Sequence, residues 1–321
     1  MNILARLCAA LLATLLTAAS WGQAYPSRPV RLVVPLTAGS SIDIVARAVA
    51  AKLQDAWGQP VIVENRAGAG GTIAAAYVAK SPADGYTLFI SSSGHASNPS
   101  LYANLPYDTA RDFVDIVPIA RAAQVLVVAS STGYRSLNDL LAAARARPQQ
   151  LTYASAGVGT GTHFSAERFR LAAGIQANHV PYKGGVEAMT DVVAGRVTYW
   201  FPSIAIALPL IRDGRIVPLA VTTRTRSALL PDVPSLAELG FTDFDDALWF
   251  GVSAPSSTPA EVVDRIARDV SLAIDSPEVL ATLRKNAAEP MHMSPAEYAR
   301  LIRRESESAA RVAKEAGIQA H

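Results

Sequence analysis

The chain has 321 residues, half of them hydrophobic, with 29 basic and 27 acidic side chains and one cysteine. That length supports two cores at roughly 100–200 residues per domain. The near balance of charge, without a basic stripe, excludes a nucleic-acid partner from the expectation.

The chain opens with Arg6 as a short basic region, an apolar and small-residue run from Leu7 to Ala19, and small residues at Gly22 and Ala24. The run is shorter than the roughly 20 residues of a membrane span. Residues 1–24 therefore read as a secretory signal peptide, and the mature protein is expected in the periplasm. Cys8 lies inside that segment, so the mature chain has no thiol. Cysteine nucleophiles, Cys-ligated zinc and iron–sulfur clusters drop out together, and no cofactor or metal is expected.

From Val30 onward, short β-rich runs alternate with helical patterns. The runs are Val30–Pro35, Val61–Glu64, Thr87–Ser91, Val125–Ala129, Leu151–Ala154, His179–Tyr182, Val197–Phe201, Val217–Thr222 and Leu248–Val252. Helical stretches include Ile42–Gln54, Leu137–Ala146, His163–Ala173, Gly185–Val193 and Ser203–Ile211. The alternation predicts βαβ units and parallel sheets, an α/β fold. Pro259–Ala273, Pro277–Lys285 and Pro295–Ala316 read as three closing helices, each with proline at or near its start. No repeat or Gly/Ser linker separates domains. A long apolar passage, Val117–Ser130, and the segment between Thr222 and Trp249 are the expected crossings. They divide the chain into one domain of residues 25–122 and 249–321 and a second of residues 123–248, with a ligand cleft between them.

Three loops that follow strands and open helices are rich in small residues. The first carries Thr37, Ala38, Gly39, Ser40, Ser41 and, in the first helical turn, Asp43. Small residues admit a ligand to backbone N–H groups, and a helix N-terminus offers unpaired donors and partial positive charge to a carboxylate. An ordinary βα turn with an N-cap fits these residues equally well. The second loop holds Ser155, Gly157, Gly159, Thr160, Gly161, Thr162 and His163; it lacks the endings of a P-loop or a dinucleotide fingerprint. It reads as an anion loop of neutral donors. The third, Pro181–Gly185, brings Tyr182 and the cation Lys183. A further loop, Ser91–Pro99, with Ser93 and His95, is expected to complete the wall. Enzyme signatures are missing: there is no Gly-x-Ser-x-Gly elbow or His-Glu-x-x-His helix, and a serine of 91–93 with His95 or His163 lacks an orienting third group.

Tyr25-Pro26-Ser27-Arg28-Pro29-Val30, Gly58-Gln59-Pro60-Val61-Ile62-Val63-Glu64-Asn65-Arg66-Ala67-Gly68-Ala69-Gly70-Gly71, Pro82-Ala83-Asp84-Gly85-Tyr86, Val180-Pro181-Tyr182-Lys183-Gly184 and Leu230-Pro231-Asp232-Val233-Pro234 come in one order along the chain. In that order they resemble the Bug-family solute-binding proteins, the periplasmic receptors of tripartite tricarboxylate transporters. The resemblance implies a two-domain Venus flytrap fold, no enzymatic activity, and a monomer that hands a small carboxylate, a di- or tricarboxylate or an aromatic acid, to membrane permease subunits. It places the grip at residues 37–41 and 155–162 with Tyr182 nearby, and gives Asp43 an orienting or a ligand-contacting role. The chain departs from the family at Leu36–Ser41, where successive glycines are usual, and at Pro202-Ser203, where an acidic or amide residue is common. Trp200 and Phe201 precede that point, and one of them faces the cleft side by strand alternation. A sensing receptor for a membrane kinase and a cleft hydrolase are the alternatives.

Overall fold

The computed structural model describes residues 25–318, so the expected signal peptide lies outside the described residues. Two sheets organise the chain. The first contains β1 (Val30–Val34), β2 (Val61–Asn65), β3 (Thr87–Ser92), β4 (Phe113–Ala123), β10 (Ala247–Pro255) and β11 (Ala288–Pro290), in the order β11-β4-β10-β3-β1-β2. The second contains β5 (Val125–Ala129), β6 (Thr152–Ser155), β7 (Asn178–Pro181), β8 (Tyr199–Trp200) and β9 (Ile216–Val221), in the order β7-β6-β8-β5-β9. Each sheet is covered by helices and carries its own apolar core, as an α/β layer architecture requires.

The expectation of wholly parallel sheets is corrected. β1 pairs in parallel with β2 and β3, and β6 with β7 and β8, but β10 runs antiparallel to β3 and β4, and β5 antiparallel to β8 and β9. The reason lies in the crossings. β4 leaves the first sheet at the end where the βαβ strands finish, so β5 enters the second sheet from that same side and must run against its neighbours. β10 repeats this on the return. The crossings are tied together: the Gln124 backbone N–H donates to Thr222 Oγ1 (3.3 Å), and the Thr222 N–H donates to the Gln124 carbonyl (3.1 Å).

The helices flanking the sheets are α1 (Ser41–Trp57), α2 (Thr72–Ala79), α3 (Ser93–Ser97), α4 (Leu137–Ala146), α5 (Gly161–Ala173), α6 (Gly185–Val193), α7 (Ile204–Arg212), α8 (Ala260–Ile274), α9 (Pro277–Lys285) and α10 (Pro295–Ala316). Helix α10 also reaches across to the second sheet's helices. Its Ala309 and Ala313 pack with Leu101 of the first lobe and Phe164 of the second. Arg168 on α5 donates to Asp246 (2.6 Å) and reaches Glu305 on α10 (3.5 Å). No described helix is long and apolar enough to cross a membrane.

Candidate functional site

The carboxyl ends of β1, β3, β6, β7 and β8 face one another across the gap between the sheets, where open α/β folds place ligands. The loop after β1 is braced by a carboxylate. Asp43, 2% exposed, accepts from the Gly39 N–H (2.9 Å), Arg47 Nε (3.0 Å) and Asn65 Nδ2 (2.9 Å). Asn65 also donates to the Leu36 carbonyl (3.0 Å), tying the start of the loop to β2. All of these contacts are within the lobe, so Asp43 orients residues 36–40.

The glycine-rich loop after β6 is held by its own hydroxyls. Thr162 Oγ1 accepts from the Ala156 N–H (3.0 Å), Thr160 Oγ1 donates to the Gly157 carbonyl (2.7 Å), and Ser155 Oγ accepts from the Gly157 N–H (3.1 Å). Gly159 has φ +86°, and a Cβ there would lie 2.7 Å from Asn98 Oδ1 of the other lobe. Both the backbone and the close approach require glycine.

Four helix N-termini meet in this gap. Ser41 at the start of α1 lies 2.6 Å, hydroxyl to hydroxyl, from Ser203 at the start of α7. A Cβ on Gly161, first residue of α5, would press on Ser93 Oγ; one on Gly184, before α6, would press on Thr37. The N-cap residues Ser40, Thr160, Gly184 and Ser203 make no side-chain capping bond. Of the helices that start elsewhere, α4, α9 and α10 are capped by Ser136, Ser276 and Ser294, while α8 after Pro259 is not. First-turn N–H groups have no intrahelical partner, so the uncapped starts leave donors and positive dipole ends turned on a shared space. Ser40 Oγ is buried there without a protein partner. The mouth is a cavity of about 500 Å³ lined by residues including Leu36, Gly70, Val158, Tyr182 and Lys183. A larger groove of about 840 Å³ lies between residues 99–115 and α10 and shares Tyr102 with this mouth.

The structure brings together Thr37, Ser40, Ser41, Ser93, Gly159 and Gly161 at the interlobe surface, with Ala38 and Gly39 exposed at its rim. It turns other candidates away. His95 sits in the first core between Phe89, Tyr107 and Phe113, because the segment read as a loop after β3 coils into α3 and rotates the ring inward. His163 lies behind the glycine-rich loop, stacked on His179, and its Nδ1 accepts from the Gly159 N–H. Phe201 packs on Phe169 and Tyr199 in the second core, while Trp200 is buried on the opposite face of the sheet. Tyr182 lines the mouth, but its hydroxyl donates to Asp191 (2.6 Å). Ser155, Thr160 and Thr162 are buried and their hydroxyls brace the loop. Both histidines are turned away from Ser93, so the Ser–His pair that residues 91–95 and 163 offered is not assembled.

Sequence reasoning missed Ser203, Gly70, Asn98 and Asn65. The run of small residues Gly68–Gly71 was the available signal for Gly70, which meets the Val158 carbonyl across the gap. Ser203 had the N-cap position of a predicted helix. Asn98 had its place in the Ser91–Pro99 loop expected to complete the wall, and Asn65 carried no signal of its own.

Burial keeps three imidazoles neutral, at His179 against the pull of Glu167. It lowers His95 to about 3; burial and then Arg170 lower His163 to about 4; burial and then His163 lower His179 to about 3. Each folded value lies below the ordinary one, so the unfolded chain takes up these protons first as pH falls. The stability they contribute is full above pH ~6.5 and declines toward pH ~4, by up to about 1.4 kcal/mol per pH unit for each group. Asp115, raised to about 6 by burial, and Glu305, also raised by burial, act in the opposite direction, two groups against three. The urea midpoint is therefore expected to fall between pH 7.5 and 5, and an unchanged midpoint would contradict neutral burial of the three rings.

The chain matches the family described as tripartite tricarboxylate transporter family receptor (TctC) over residues 45–318. It is 36% identical to Protein BugT of Bordetella pertussis, over 92% of this chain and 91% of that protein. Its fold is similar to that of an R. palustris protein solved with adipate, with TM-score 0.87 and 40% identity over 92% of this chain and 99% of that one. It is also similar to MatC from Rhodopseudomonas palustris with bound malate, at TM-score 0.84 and 29% identity over 90% and 99% of the two chains. These are solute-binding receptors rather than enzymes. With a two-lobed α/β fold closed around uncapped helix starts, and with this match over most of its length, the chain belongs to the tripartite tricarboxylate transporter receptor family.

Proposed function

We propose that this receptor captures a small aliphatic dicarboxylate between the lobe formed by residues 25–122 and 249–321 and the lobe formed by residues 123–248. The observation that carries this reading is the meeting of four uncapped helix N-termini, with the buried, unpartnered Ser40 hydroxyl among them. Such donors suit an anion bound through neutral groups. Hydrogen bonds to a charged ligand are worth about 1.5–3 kcal/mol each, and a few of them supply the roughly 8 kcal/mol of micromolar binding. The adipate and malate held by two similar proteins support a dicarboxylate. An aromatic acid is less well supported, because Trp200 and Phe201 are both sealed in the second lobe. The mature protein, released from a leader of residues 1–24, then works as a periplasmic monomer that delivers its ligand to membrane permease subunits.

The test is a thermal-shift panel on protein refolded free of ligand, with mono-, di- and tricarboxylates, aromatic acids and amino acids. A midpoint that climbs with dicarboxylate concentration is the expected result. No rise with any carboxylate at millimolar concentration would refute the reading.

A further inference from the structure

The glycine-rich loop rests on two imidazoles that lie behind it. His163 from α5 and His179 from β7 stack face to face, with ring centroids 4.1 Å apart and planes 14° from parallel. Tyr153 from β6 stacks on His179 in turn, at 4.8 Å. His163 Nδ1 accepts the Gly159 N–H at 3.3 Å. His179 Nε2 lies 2.6 Å from Ser155 Oγ, and that oxygen accepts the Gly157 N–H at 3.1 Å. His163 Nδ1 is thus an acceptor toward the loop, a role that a protonated ring, with two donors and no acceptor, cannot fill. His179 supports the loop through its hydrogen bond with Ser155 Oγ. Burial and Arg170 on α5 favour neutral rings, while Glu167, engaged by Arg170 and by the Tyr153 hydroxyl, acts the other way on His179. Tyr199 on β8 packs against Tyr153.

The two N–H groups held backward belong to Gly157 and Gly159, whose φ values are +129° and +86°. Fixing those peptides fixes the direction in which residues 160–162 open α5 onto the gap. We propose that His163 and His179 are positioning residues for ligand capture: His163, as acceptor for the Gly159 N–H, and His179, through Ser155, hold the Gly157–Gly159 turn, and with it the start of α5, in the conformation that receives the ligand. The proposal rests on the reading of the cleft as a carboxylate site.

The test compares His163→Phe, which keeps an aromatic ring in the stack but removes the acceptor, with His163→Asn, whose amide oxygen replaces Nδ1. Two quantities are read: amide hydrogen exchange at Gly159 in ligand-free protein, and the adipate Kd by calorimetry. In His163→Phe the Gly159 amide is expected to exchange about 100-fold faster and adipate to bind about tenfold more weakly. His163→Asn is expected to restore both to within about threefold of the parent. A role in packing alone predicts the reverse order, with Phe tolerated and Asn damaging, and that result would overturn the proposal. If His163→Phe does not fold, the half-buried His179→Phe, with His179→Gln as its rescue, is read in the same way at the Gly157 amide. If the parent protein binds no carboxylate, the reading of the cleft falls, while the exchange data still decide whether the imidazoles hold the turn.

Discussion

Gly184→Val is expected to leave each lobe folded and to weaken ligand binding by roughly 10- to 100-fold. Gly184 has φ −171° and ψ 174°, extended backbone that any residue adopts, so the substitution strains nothing locally. Its Cβ, however, would press on Thr37 Oγ1 and lie 3.1 Å from Thr37 Cγ2, in the facing lobe. The clash exists only when the lobes are together. Overpacking of this kind costs about 1–3 kcal/mol, charged here against closure and hence against the bound state. Calorimetry of the ligand and melting of the ligand-free variant separate the two effects. Parental affinity would mean that Thr37 and Gly184 do not meet in the liganded protein.

Asp43→Ala is expected to lower both stability and affinity, although Asp43 faces its own lobe. Removing a buried carboxylate that accepts from Gly39, Arg47 and Asn65 leaves the Gly39 N–H unpaired and takes one partner each from Arg47 and Asn65. Losses for such sites run to about 2–4 kcal/mol. The loop after β1 then loses its brace, and with it the placement of Ser40 and Ser41, so adipate affinity is expected to drop by about tenfold or more. The pH behaviour identifies the cause. Burial pushes the Asp43 carboxyl up, but hydrogen bonds from Arg47, Gly39 and Asn65 outweigh it and hold the group below its ordinary value. Its stabilisation is therefore full above pH ~4 and is lost as pH falls through the folded value. The gap in denaturant midpoint between parent and variant should be constant from pH 5 to 8 and close only in acid. A variant with the parent's midpoint at pH 7 would contradict the bracing role.

What the sequence showed and hid follows from the kind of information each feature carries. Periodicity and caps mark elements, so the spans Leu137–Ala146, Gly185–Val193, Pro277–Lys285 and Pro295–Ala316 are the same in sequence and structure. Periodicity carries no strand direction, so β5 and β10 read as members of parallel sheets. The five-residue α3 is too short to repeat, and it read as a loop. In the cleft, glycines and hydroxyls ahead of helices marked which loops to examine. They did not mark which hydroxyls face outward: Ser155, Thr160 and Thr162 turn inward to tie their loop, while Ser40 stays unpaired. His95 and Phe201 were misplaced for a related reason. One rotated helical turn puts His95 in the core, and Phe201 falls there because both faces of its sheet are covered; both outcomes are set by packing partners distant in the chain.

Capture of an anion by helix N-termini makes charge, not shape, the deciding property of the ligand. Isothermal titration of ligand-free protein with adipate and with its neutral isostere adipamide tests this directly. Adipate is expected to bind with a Kd of about 1–10 μM, with adipamide at least about 100-fold weaker. Equal affinity for the two compounds would contradict the helix-terminus site and point to recognition by shape alone.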